Sequence, residues 1–115
     1  MTLIYKICPE PLWRAAEAAG RFTGSGVDHA DGFIHFSTAA QVAETARRHF
    51  AGQRDLLLVA VEAEALGSGL RHEPSRGGAL FPHLYGDLAL GAVRSVAALP
   101  LGANGVHILP TDFAA

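Results

Sequence analysis

Two short strings hold most of the residues able to do chemistry, Asp31-Gly32-Phe33-Ile34-His35-Phe36-Ser37-Thr38 and Phe81-Pro82-His83-Leu84-Tyr85-Gly86. Between them lies Arg71-His72-Glu73. An imidazole can act as acid, base, anion donor or metal ligand. The chain has 6 histidines: His29, His35, His49, His72, His83 and His107. Their spacings give no i, i+3 or i, i+4 helical pair and no His-x-His strand pair, so no metal site is expected.

His35 draws the most attention. Read as a strand, Gly32–Ser37 puts Phe33, His35 and Ser37 on one face and Ile34 and Phe36 on the other. Thr38-Ala-Ala-Gln41 then matches a capping box that opens a helix. The free N–H groups of a helix start favour an anion. His35, Ser37 and Thr38 thus read as ligand contacts; the competing reading is a structural histidine with the two hydroxyls capping the helix. Asp31, with Gly32, reads as stabilising a turn before the strand.

If Leu70–Glu73 is extended, Arg71 and Glu73 share a face. They form either a solvated ion pair or an anion-binding cation beside a carboxylate for a hydroxyl. A proline inside Phe81–Tyr85 implies an edge strand or a bulge. There Phe81, His83 and Tyr85 would build a wall for a base or sugar, or only half-buried polar contacts. GxSxG is absent. A phosphoesterase with two H-x-[ST] motifs is disfavoured, because His35-Phe36-Ser37 has no second copy.

The positioning elements follow from pattern. Leu3–Cys8 reads as a strand ended by Pro9-Glu10-Pro11. A helix over Leu12–Ala19 stops at Gly20, with Trp13 in the core or on a pocket wall. Arg21–Ala30 reads as a loop whose Gly24-Ser25-Gly26 is a flexible turn or a ligand cover. A helix runs from Ala39 to about Phe50 on the stripe Val42, Ala43, Ala46 and Phe50, and Gly52 ends it. Asp55–Ala63 suits a central strand covered on both faces. Glu64–Gly69 is a turn and Pro74–Ala79 a loop. Leu88–Gly91 is a turn or one helical turn, Ala92–Leu99 a strand, and Val106–Leu109 a short edge strand.

The expected fold is α+β: a single small domain over 1–115, with a core of about 2–100 and a tail of 101–115. Its sheet is mixed and mostly antiparallel, with two main helices in the N-terminal half. The chain is 115 residues long, 50% hydrophobic, 17% charged and of net charge −2. That composition argues against disorder and against general nucleic-acid binding. The one cysteine, Cys8, reads as a buried small hydrophobe and excludes an internal disulfide. With no signal-peptide pattern and no membrane-length apolar run, the expected location is the cytoplasm.

The Asp31–Thr38 string with Gln41, together with Phe81–Gly86, resembles the two signatures of a bacterial family of small proteins, domain-of-unknown-function family 952. Ile4-Tyr5-Lys6-Ile7, Trp13 and Asp55–Val61 also fit, so the resemblance spans roughly residues 2–100. That family is grouped at a distance with the ADP-ribosyltransferase fold, and Gly32–Phe50 is similar to that fold's second strand and helix. The resemblance implies an ADP-ribosyltransferase-like fold, with NAD a possible cosubstrate. Active transferases carry a glutamate where this chain has His83, and Glu73 is the nearest acid. Tyr5 and Lys6 stand where a first-strand His or Arg would be. These departures suit a phosphate-directed relative, or a binding domain without catalysis, better than an ordinary transferase.

The expected function is binding of a nucleotide or phosphorylated metabolite in a cleft between the His35 and His83 strands. Any reaction would be group transfer at a ribose. His35 and Ser37 would hold ribose or phosphate, Arg71 would neutralise an anion, Tyr85 would stack, and His83 or Glu73 would act as acid, base or charge stabiliser. The alternative is a non-catalytic interaction protein with structural histidines.

Overall fold

The computed structural model describes residues 2–75, 77–111 and 113. Met1, Arg76 in the expected loop, and Asp112, Ala114 and Ala115 in the expected tail lie outside them. In chain order the strands are β1 (Leu3–Pro9), β2 (Arg21–Phe22), β3 (Ile34–His35), β4 (Ser37–Thr38), β5 (Leu56–Glu62), β6 (Leu70–Ser75), β7 (Ala79–Leu84), β8 (Leu88–Ala89) and β9 (Val93–Ala98). The α-helices are α1 (Glu10–Ala19), α2 (Val27–Asp31) and α3 (Val42–His49). No helix among the described residues is long and apolar enough to cross a membrane.

One antiparallel sheet runs β4-β1-β5-β9, a second β3-β7-β6, and β2 pairs with β8. β5 is covered on both faces, as its continuous apolar run requires: Leu56–Val61 is buried throughout. Along β1 the pleat alternates. Ile4 and Cys8 join Trp13, Phe22, Ile34 and Phe36 in one core layer. Tyr5 and Ile7 join Val42 and Ala46 of α3 in the other. Trp13 is buried in the core against Phe22. Cys8 is fully buried, and burial pushes its thiol up to about 11.

Four expectations are corrected. The loop of 21–30 contains β2 and most of α2. α2 is too short for an apolar stripe to show, and is flanked by Gly26 and by Gly32 at φ 82°. The strand over Gly32–Ser37 is two strands in different sheets: His35 pairs with His83 and Ser37 with Tyr5. Of the loop expected over Pro74–Ala79, Pro74 and Ser75 belong to β6 and Ala79 to β7, paired in a hairpin in which Arg71 lies opposite His83 and Glu73 opposite Phe81. Val106–Leu109 forms no strand, only a single bridge from His107 to Leu101.

Pro82 sits in the central strand of its sheet, not at an edge. The ladder register makes Phe36 its next opposite residue, and the Phe36 N–H donates to the Pro82 carbonyl at 2.9 Å. The return bond of such a pair would need an N–H that proline lacks. The ladder therefore ends on a half-made pair, and the chain leaves for the first sheet at Ser37.

The hairpin is seated by Gly69, whose carbonyl accepts the Tyr85 N–H at 2.8 Å. A Cβ on Gly69 would lie 2.9 Å from the Tyr85 carbonyl oxygen. Gly69→Ala is expected to cost about 1–3 kcal/mol, the usual range for overpacking, measured by urea unfolding. An unchanged midpoint would show that the hairpin seat tolerates the methyl group.

Candidate functional site

The site begins with a lysine in an apolar strand. Lys6 lies on β1 between Tyr5 and Ile7 and is buried. A buried ammonium needs a counter-ion, and Asp28 of α2 supplies it at 2.7 Å. Lys6 Nζ also donates to the His35 carbonyl at 3.0 Å. Asp28 is a hub: its carboxylate accepts from Lys6, from the Ser25 N–H at 2.9 Å, from the His35 N–H at 3.1 Å and from His35 Nδ1 at 2.6 Å. Burial alone would raise the acid's pKa. The His35 hydrogen bond and the Lys6 charge outweigh it and lower Asp28 to about 2. Gly24, at φ 117°, lets the preceding turn lie on the aspartate, since a Cβ there would stand 2.9 Å from Asp28 Cβ.

The other ring nitrogen of His35, Nε2, meets Asp31 at 3.0 Å. A carboxylate on each nitrogen is the arrangement an imidazolium satisfies, because both of its nitrogens donate. On the neighbouring strand His83 repeats half of this pattern, with Nδ1 2.8 Å from Glu73. Tyr85 donates its hydroxyl to the same Glu73 oxygen at 2.7 Å. These two hydrogen bonds, His83 first, hold the Glu73 carboxyl below its ordinary value, and the Glu73 bond raises Tyr85. Arg71 lies 5.2 Å over the Tyr85 ring. Phe33 joins the two clusters: it stacks on His83 at 4.1 Å and touches His35 at 4.5 Å and Tyr85 at 5.2 Å. The two imidazole centroids are 5.4 Å apart.

His35, Arg71, Glu73, His83 and Tyr85 therefore come together. Ser37 and Thr38 serve differently from expectation. The Ser37 hydroxyl is buried on Thr45 at 3.0 Å. The Thr38 N–H is taken by Gln41 Oε1 at 3.0 Å, so the helix start does not offer that group to an anion. Gln41 then reaches the Leu80 carbonyl at 2.8 Å, tying the cap to β7.

The expected cleft between the His35 and His83 strands is also corrected. Those strands are hydrogen-bonded neighbours in one sheet, so no cleft can separate them. The large cavity, about 580 Å³, lies on the other side of His35. It runs along β1 beyond its two-residue pairing with β4 and is bounded by α2 and α3. Its polar lining includes Lys6, Asp28, Asp31, His35, Thr45 and His49. Lys6 and Asp28 were not foreseen as site residues. The available signal was a charged residue at an inward position of an apolar strand.

The family model described as "Protein of unknown function (DUF952)" matches residues 7–96. The X-ray structure of protein CC0527 from Caulobacter crescentus is 56% identical, covers 93% of this chain and 94% of its own, and superposes with a TM-score of 0.89. The solution NMR structure of CC0527 gives 57% identity, coverages of 92% and 91%, and a TM-score of 0.82. No curated protein matches the chain.

Asp28→Asn keeps the shape and removes the charge that Lys6 needs. It is expected to cost about 3–5 kcal/mol in urea unfolding at neutral pH. The pH dependence follows from the sign of the shift. The folded-state pKa of about 2 lies below the ordinary 3.8, so this stabilisation is complete above about pH 4 and is lost as pH falls through about 2. It amounts to about 2 kcal/mol, and the variant's stability profile should lack that limb.

Proposed function

The chain belongs to the DUF952 family, and from that premise we propose that the joined His35–His83 face binds a nucleotide, with NAD the first candidate. The observation that carries this reading is the Glu73 carboxylate fixed by His83 and Tyr85, beside the Phe33 ring and near Arg71. Tyr85 and Arg71 are exposed, and Phe33 and Glu73 are half-buried. Exposed aromatic surface suits stacking by a base, the guanidinium suits a phosphate, and a carboxylate accepts from ribose hydroxyls.

The reaction that matches these groups is transfer at a ribose. The bond from C1′ to the base breaks and the base, nicotinamide in the case of NAD, departs with the bonding pair; positive charge develops on the sugar, and an acceptor hydroxyl adds through its oxygen as its proton passes to solvent. Glu73, kept ionised by its two donors, stabilises that charge, and His35 holds the ribose. An ADP-ribosyltransferase-like ancestry of the two-sheet fold accords with this chemistry.

One feature favours the structural alternative. His35 and His83 each already hold carboxylate partners within the chain. The two readings separate in one experiment, calorimetric titration of wild type, His35→Ala and Glu73→Gln with NAD, ADP-ribose and a 2′-phosphorylated nucleotide. Nucleotide binding predicts wild-type affinity that falls at least tenfold in both variants, with folded spectra retained. If wild type binds none of the three, or the folded variants bind equally well, the histidines are structural and the proposal is lost.

A further inference from the structure

The cavity behind His35 is built differently from the face just assigned. On its floor Lys6 pairs with Asp28 at 2.7 Å, and the two His35 ring nitrogens face Asp28 at 2.6 Å and Asp31 at 3.0 Å; with His35 as the imidazolium that two carboxylates call for, these charges cancel in pairs. Its walls are largely apolar, from Ile7, Pro9, Leu12, Val27, Phe36 and Phe50, with His49 at one side. Leu12 and Val27 are exposed apolar side chains of this lining, at 46% and 60%. A volume of about 580 Å³ is in the range of small-molecule sites.

We infer that this cavity is a second binding site, for a neutral molecule that has an apolar body and a hydroxyl group. A net charge on the ligand would lose its hydration and meet a floor whose charges are already matched, and that cost is not repaid. A hydroxyl meets no such cost, because it both donates and accepts. Asp31 receives it: its side chain is 44% exposed, against 1% for Asp28. His35 forms the wall shared by the two sites, since it lines the cavity and also touches Phe33 and His83. The cavity assignment itself does not need the nucleotide.

The test uses three probes of one length, 1-hexanol, hexylamine and hexanoate, titrated without nucleotide into isotope-labelled protein and followed by amide shifts. Hexanol should saturate shifts at Val27, Phe36 and Thr45, and bind at least tenfold tighter than either charged probe. Asp31→Asn unbalances the floor toward positive charge, so hexanoate should gain at least threefold on hexanol. Asp31 is half-exposed at the end of a short helix, so this variant is expected to fold, and its spectrum checks that directly. The inference is overturned if a charged probe is preferred by wild type, if hexanol moves only exposed sites such as Leu80 and Ile108, or if the folded variant keeps the wild-type order. NAD should instead move Phe33 and Tyr85, so failure of one site is distinguishable from failure of the other.

Discussion

The buried ion pair of Lys6 and Asp28 is the constraint on which the site depends. An ammonium placed in an apolar strand cannot stay there unless a carboxylate arrives from elsewhere in the chain. That requirement draws the segment of 24–31 onto the first sheet, although the segment has few apolar residues of its own to hold it. Once Asp28 is in place, its second oxygen fixes both the backbone and the ring of His35. One carboxylate therefore ties together β1, α2 and β3.

The second sheet supplies the other half by register. In an antiparallel ladder, residues directly opposite share a face. Because His35 is opposite His83 and His83 is opposite Arg71, three separate strings of sequence present their side chains in one row. Glu73 and Tyr85 then occupy neighbouring positions on that face. Phe33 closes the row by packing on both imidazoles. The same register that unites these groups also removes the space between them, which is why the concave surface lies on the far side of His35.

Much of this was legible in the sequence where local pattern decides the outcome. The apolar run of β5, the Gly20 stop of α1 and the Thr38–Gln41 capping box each depend on residues within one turn or one strand, whereas α1 starts at Glu10, two residues before the expected Leu12. The meeting of the Asp31–Thr38 and Phe81–Gly86 strings was also legible, because both concentrate polar aromatic residues beside apolar ones. What escaped depends on distant partners. α2 has five residues and no period to detect. The partner of Lys6 is 22 positions away. Whether Ser37 continues the His35 strand is settled by which neighbour each pairs with, and alternation is blind to that.

The half-made pair at Pro82 has a wider meaning. An imino acid at this point acts as punctuation: it ends the β3–β7 ladder, while β6 and β7 stay paired as far as Ala79, and frees the residues after Phe36 to enter the first sheet. Alanine at 82 would restore the missing donor and lengthen that ladder by one rung, in competition with the crossing at Ser37. The division of this small domain into two sheets, and with it the opening beside His35, thus rests in part on a hydrogen atom that is not there.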